Sequence, residues 1–399
     1  MIPRSRDVVD SLASSVDPAE IEALTCALVA EPSVNPGGTE ASAVDVLARA
    51  CRDAGFEVEI TEAAPGRPNL VATVNGAATG PGLMFLGHSD VVPPGPGWSA
   101  DPFVPRRRGD LIIGRGTSDM KGGIASAVAA MTVIGRAVAQ GVAVSGPVRL
   151  VVTVDEEEHG VGIAHLLKNP PPGEHVGCIV AEPTRLDVVR GCRGASYFDI
   201  SVTGRAAHSG RPSDGVSAIA AAAKVIELIG DDQRAMAADP DPLLGHGTWN
   251  VGTIEGGQGI SVVAPDCSMG VDRRLMPGED VVEIGRVLSA KIRDAGIEDD
   301  GVSVTVTPTM YLPGFATAAD HPIVTATAQA VRDCGAPSEV GGWTAACDGG
   351  WTSTALGIPT VVMGPGDING QAHQPDESVS LTELVTAAQA YVRVALALL

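Results

Sequence analysis

The sequence predicts an α/β fold: a mostly parallel sheet with helices on both faces, plus an inserted ferredoxin-like α+β domain. Three observations predict it. Apolar runs such as "LMFLG", "VRLVVTV" and "GCIVA" are continuous, as in strands buried on both faces of a parallel sheet. Helix-like stretches alternate with them. The stretch "SYFDISVTG" instead alternates strictly, as a half-exposed antiparallel strand does, and it opens the order β-α-β-β-α-β.

Each element follows in order. Residues 17–55 read as helical segments broken at "EPSVNPGG", and the helix from Thr39 to Ala54 stops at Gly55. "FEVEI", "NLVATVNG" and "GLMFLGH" read as strands, followed by the loop "PPGPGWSADPFVP". "DLIIGRGTSDMKGG" then leads into an alanine-rich helix from Ile124 to Gln140. "VRLVVTVDEEE" and "GCIVAEPT" are strands that end in acid. After Gly191 come "SYFDISVTG", a helix over Gly215–Ile229, strands "TWNVGTIEG" and "SVVAPDCSMGVDRRL", a helix over Glu279–Ala295 and strand "VSVTVTPTM". From Tyr311 the first pattern resumes, with a helix at 321–333, strand "IPTVVMGPG" and a terminal helix. The expected domains are therefore 1–190 and 312–399 for the larger one and 191–311 for the insertion.

Composition narrows the function. Net charge is -21 and the longest basic run is Arg106-Arg107-Arg108, so the basic footprint of a nucleic-acid binder is missing. The N-terminus shows no apolar signal core, and no run of about 18 apolar residues suggests a membrane span. Seven cysteines without a CxxC pair suit reduced thiols. The expectation is a cytoplasmic protein without nucleic-acid or membrane partners.

In an open parallel sheet, ligands bind beyond the carboxyl ends of the strands. There "MFLG" delivers His88 and Asp90, "VVTV" delivers Asp155, Glu156, Glu157 and Glu158, and "CIVA" delivers Glu182. The loop after "TVVMGPG" delivers His373, and Asp119 sits in the glycine-rich turn "GRGTSDMKGG". Any one of these acids alone is more often a solvated loop residue. Together they crowd carboxylates that need cations to coexist. Two histidines with several carboxylates and no cysteine suit zinc, cobalt or manganese. The group exceeds what one tetrahedral ion uses, and two ions about 3.5–4 Å apart would employ it. A remaining glutamate could take a proton from metal-bound water, as in a hydrolase.

The motifs "GHSDVVPPG", "GRGTSDMKGG", "VDEEEHG", "VAEPT", "GRAAHSGRP", "VDRRLMPGE" and "GPGDINGQAHQPDE" together resemble the M20 metallopeptidase family. That family includes acetylornithine deacetylase, succinyl-diaminopimelate desuccinylase, aminoacylase-1 and glutamate carboxypeptidase. The resemblance implies two divalent ions, zinc or else cobalt or manganese, and a lid domain that also dimerises the protein. By motif, His88 and His373 would each complete one ion site, Asp119 would bridge, and Glu157 and Glu182 would each hold one ion. Glu156 matches the general base, with Glu157/Glu158 as the alternative register. Asp90 would orient His88. His208 matches the lid histidine that steadies the oxyanion in a homodimer, and Arg274 the arginine that holds a substrate carboxylate, with Arg273 as competitor. The implied reaction is amide hydrolysis of a small-molecule N-acyl amino acid or dipeptide.

The chain also departs from the family. Ser261 stands where many relatives carry a substrate-contacting Asn, Ala264 where they carry Pro, and Gly350-Trp351 where Arg-Phe is common. The His373 loop is one residue longer. Two rival readings remain: a serine amidase using Ser118 and Lys121 in an S-x-x-K pattern, and a non-catalytic metal-dependent binding protein of the same fold.

Overall fold

The computed structural model describes residues 5–76 and 78–399. The chain forms two compact units. The larger contains the segments up to Arg190, Ala316–Gly341 and Trp351–Leu399; the smaller contains Gly191–Phe315 and Gly342–Gly350. The last segment falls outside the range expected for the insertion. The backbones at Gly342 and Gly350 lie so close to Leu243 and Pro313 that a Cβ on either would overlap a carbonyl oxygen. No local pattern signals such contacts.

The largest sheet runs in the order Glu57–Ala64, Arg67–Val74, Val148–Thr153, Gly82–His88, His175–Val180, Thr360–Val362, Val188–Cys192 and Phe315–Ala316. The four strands from Val148–Thr153 to Thr360–Val362 are mutually parallel. Their neighbours pair antiparallel. The expected mostly parallel sheet is thus a mixed one. Only Pro65 and Gly66 join the first two strands, which is a hairpin connection and far too short for a parallel crossover. Gly82–His88 is buried along its whole length, in keeping with its unbroken apolar run.

Helices Gly122–Ala139 and Leu381–Leu398 pack on one another. By length and composition alone both could cross a membrane, Gly122–Ala139 together with the preceding turn. The first is mostly buried inside the protein and the second more than half, as core helices are. Tyr391 stacks near Phe85, with centroids 4.9 Å apart, and its hydroxyl donates to Met363 O at 2.7 Å. This satisfies the only polar atom in that side chain. All seven cysteines are free.

The smaller unit holds a four-stranded antiparallel sheet in the order Thr248–Gly256, Asp266–Leu275, Gly194–Thr203, Ser303–Leu312. Helices Ala218–Ala237 and Val281–Asp294 provide the two crossovers, so the chain order is β-α-β-β-α-β. The first helix runs eight residues past its expected end at Ile229. Beyond Gly230, Asp232 accepts from Trp249 Nε1 at 2.7 Å and pairs with Lys291. Tertiary contacts thus carry the helix onward.

Arg149 and His175 meet in the larger unit, Nη1 to Nε2 at 3.1 Å. Burial, then the Arg149 charge, pushes the His175 pKa down to about 4. An unfolded histidine titrates near 6.5. Between about pH 6.5 and 4 the unfolded chain therefore binds the extra proton, and stability falls as pH falls through that window. Lowering the pH from 7 to 4.5 is expected to reduce the melting temperature of the wild type more than that of His175→Gln. Equal losses would contradict this.

Candidate metal centre

Three strand ends and two turns build one cluster in the larger unit. His88 closes the strand Gly82–His88, and its Nδ1 lies 3.0 Å from Asp90 O, which fixes Nε2 as the free, outward nitrogen. Nε2 stands 3.2 Å from Asp119 Oδ1 and 3.4 Å from Glu182 Oε1. On the other side His373 Nε2 stands 3.3 Å from Asp119 Oδ2 and 3.2 Å from Glu157 Oε1. The two oxygens of Asp119 are thus divided between two imidazoles, each of which faces a second carboxylate.

These separations have a physical meaning. Donors at the corners of a tetrahedron around an ion with bonds of about 2.0 Å lie about 3.3 Å apart. The four donor–donor distances of 3.2–3.4 Å match that edge. One ligand atom each from His88, Asp119 and Glu157 also falls within a 4.8 Å group. The donor set therefore fits two small divalent ions sharing Asp119.

The electrostatics point the same way. Burial, then the Asp119 charge, pushes the Glu182 carboxyl up to about 7 and raises that of Glu157. Burial would also raise Asp119, but His373 and His88 hold it well below the carboxylate range. His373 is lifted to about 10 by hydrogen bonds to Asp119 and then Glu157. Metal binding to such a donor set would displace protons from it.

The loops that carry these groups are locally special. Asp155 and His373 both have positive φ, 66° and 63°, a conformation that costs a non-glycine residue roughly 1–3 kcal/mol and concentrates at functional sites. Gly116, at φ 86°, makes the turn before Asp119. A Cβ on Gly123 would sit 2.1 Å from Ala181 O, so only glycine lets the helix start approach the strand end that delivers Glu182.

Asp90 faces His88 as expected and has a further task. Its carboxylate is 3.5 Å from Nδ1, farther than its own carbonyl. Its oxygens accept from Glu156 N at 3.2 Å, Glu157 N at 3.1 Å and Asn35 Nδ2 at 3.1 Å, so it also anchors the acidic turn. Asn35 also donates to Asp155, which pairs with Arg67, itself paired with Glu40. Of the acids in that turn, Glu157 reaches His373, half-buried Glu156 precedes it, and Glu158 lies 3.6 Å from His159.

The remaining sequence-derived residues lie in the smaller unit. His208 is exposed, its Nδ1 accepts from Gly210 N at 3.0 Å, and it forms a β-bridge with Val262. Ser261 is its neighbour there, its carbonyl accepting from Ser209 N at 2.9 Å. Arg273 is buried against Glu279 and the Trp249 ring, leaving the half-exposed Arg274, held by Asp272 at 3.0 Å, as the more available arginine. The Ser118/Lys121 pattern does not assemble a nucleophile. Lys121 Nζ donates to Leu28 O and Glu31 O, while Ser118 Oγ accepts from Asp367 N. Asn35, Arg67, Arg115 and Glu377 escaped sequence reading. Glu377 stood in view within "HQPDE", without a signal of its own.

The family model for "Peptidase family M20/M25/M40" matches residues 84–397. The chain is 32% identical over 347 residues to the acetylornithine deacetylase of Aliivibrio salmonicida, covering 86% of this chain and 87% of that one. Its fold resembles an M20 family metallo-carboxypeptidase from Sulfolobus solfataricus, with a TM-score of 0.78, 20% identity, and coverage of 95% and 99%. It also resembles a dinuclear metal-binding M20 peptidase from Bacillus subtilis, with a TM-score of 0.72, 15% identity, and coverage of 95% and 97%.

Proposed function

This chain belongs to peptidase family M20/M25/M40 and is a metal-dependent hydrolase, and from that premise we propose that it cleaves the amide bond of an N-acyl amino acid with the help of two ions. The observation that carries the reading is the division of Asp119's oxygens between His88 and His373. His88, Asp119 and Glu182 would hold one ion, and His373, Asp119 and Glu157 the other. Bound there, two divalent ions such as zinc supply a more acidic water and polarise the substrate carbonyl.

The chain's own residues do the rest. Glu156 takes the proton of the attacking water, the C–N bond breaks, and the same carboxyl returns the proton to the leaving nitrogen. A carboxylate and an amine result. Asp90 keeps Glu156 and Glu157 in place through their backbone N–H groups. Arg274 suits a substrate carboxylate with its planar fork, His208 suits the developing oxyanion, and Ser261 contacts the substrate. His208 belongs to the lid of a homodimer in this reading, and the enzyme works in the cytoplasm. The similarity to acetylornithine deacetylase favours small N-acyl amino acids over longer peptides.

The test is amine release from a panel of N-acyl amino acids and dipeptides. Chelation is expected to abolish activity, and zinc, cobalt or manganese to restore it. Activity that survives complete metal removal would contradict the reading.

A further inference from the structure

The turn that carries Asp119 is glycine-rich and has little rigidity of its own. It is wrapped around one buried side chain, Glu377. Oε1 of Glu377 accepts from Ser118 N at 2.8 Å and from Asp119 N at 3.0 Å. Oε2 accepts from Gly116 N at 3.1 Å and from Arg115 Nη1 at 2.5 Å. The Glu377 carbonyl accepts from Gly114 N at 2.9 Å. Four of the six residues from Gly114 to Asp119 thus donate their backbone N–H to this one residue.

With two N–H donors on each oxygen, the carboxylate is committed to holding backbone, although it lies beside the metal cluster. Arg115, also buried, extends the hold. Its Nη2 donates to Pro94 O at 3.3 Å, and its guanidinium lies 5.2 Å from the centre of the Trp98 ring. Both contacts are on the loop that follows His88 and Asp90. Glu377 is itself four residues beyond His373. One ion pair therefore joins the three segments that deliver His88, Asp119 and His373.

We propose that the buried Arg115–Glu377 pair is the positioning element that sets Asp119 between the two ions. The proposal rests on the two-ion reading above. A bridging carboxylate must place both oxygens to within about 0.5 Å, and a free glycine-rich turn does not hold that tolerance. Substituting an outer partner of a metal ligand typically weakens metal binding or activity about 10–100-fold.

The test uses the full chain and Co2+ alone as probe, read by visible absorption and by competition with a chelator. Wild type should take up two Co2+ per chain. Glu377→Gln puts an amide N–H2 against two existing donors. It should bind Co2+ about 10–100-fold more weakly with an altered spectrum, and lower kcat with KM within about threefold. Arg115→Lys keeps the charge and loses the fork, and should show a smaller change of the same kind. Arg393→Met breaks the Arg393–Asp10 pair outside the site, and should lower the melting temperature without touching the Co2+ spectrum. A folded Glu377→Gln with wild-type affinity and spectrum overturns the proposal. Should that variant not fold, an unchanged Arg115→Lys spectrum overturns it equally. Fewer than two ions on the wild type would overturn the two-ion reading, and this proposal with it.

Discussion

Glu156→Ala is expected to lower kcat by roughly 10^2–10^4-fold, the range that a positioned general acid–base supplies, while both ions remain bound. The expectation follows from the division of labour on one turn. Glu157 reaches His373, whereas Glu156, the residue before it, is held by its backbone N–H on Asp90 and is assigned the proton transfer. Removing its carboxylate takes away the proton carrier and leaves the donor set whole. Because the same group acts on the water and on the leaving amine, the loss should appear in kcat more than in KM. A Glu156→Ala enzyme that keeps most of its kcat, or that loses an ion, would favour the alternative register, with Glu157 as the base and Glu158 as the ligand.

Asp119→Ala is expected to have the larger effect. Each imidazole faces two carboxylate oxygens, and one of the two is always Asp119's. Its removal strips one donor from both ions at once. Affinity for the pair should fall by more than the roughly hundredfold upper end seen for outer-shell partners. Activity at limiting metal should fall by about 10^3-fold or more, since several kcal/mol of charge stabilisation go with the ions. Metal analysis beside initial rates checks both parts. Two ions retained at wild-type affinity would show that Asp119 does not bridge.

Much of this site was legible in the sequence because its groups stand at the ends of apolar strands. His88 follows "MFLG" and Glu182 follows "CIVA", and a buried parallel strand leaves little choice about where its last residue points. Asp119 and His373 were harder, since their turns are read by resemblance and not by periodicity. The groups that hold the ligands were not legible. Arg115 and Glu377 are 262 positions apart, and neither has a pattern that distinguishes it from a surface charge. Asn35 lies in "EPSVNPGG", read as a break, yet its buried amide joins Asp90 to Asp155.

The fold divides along the same line. Strand existence follows from burial, which local sequence encodes. Strand direction follows from connections, so the hairpin of Glu57–Ala64 with Arg67–Val74, with the other antiparallel pairs, makes the expected mostly parallel sheet a mixed one. The short strands Arg106–Arg108, Leu111–Ile113 and Ser378–Ser380 form a separate three-stranded sheet. At three residues each they are too brief for any period to register.

Whether two ions share Asp119 is read from anomalous diffraction at the zinc edge of zinc-loaded crystals. Two peaks per chain are expected about 3.5–4 Å apart, one beside His88 and Glu182, the other beside His373 and Glu157, with Asp119 between them. A single peak, or two peaks that do not flank Asp119, would contradict it.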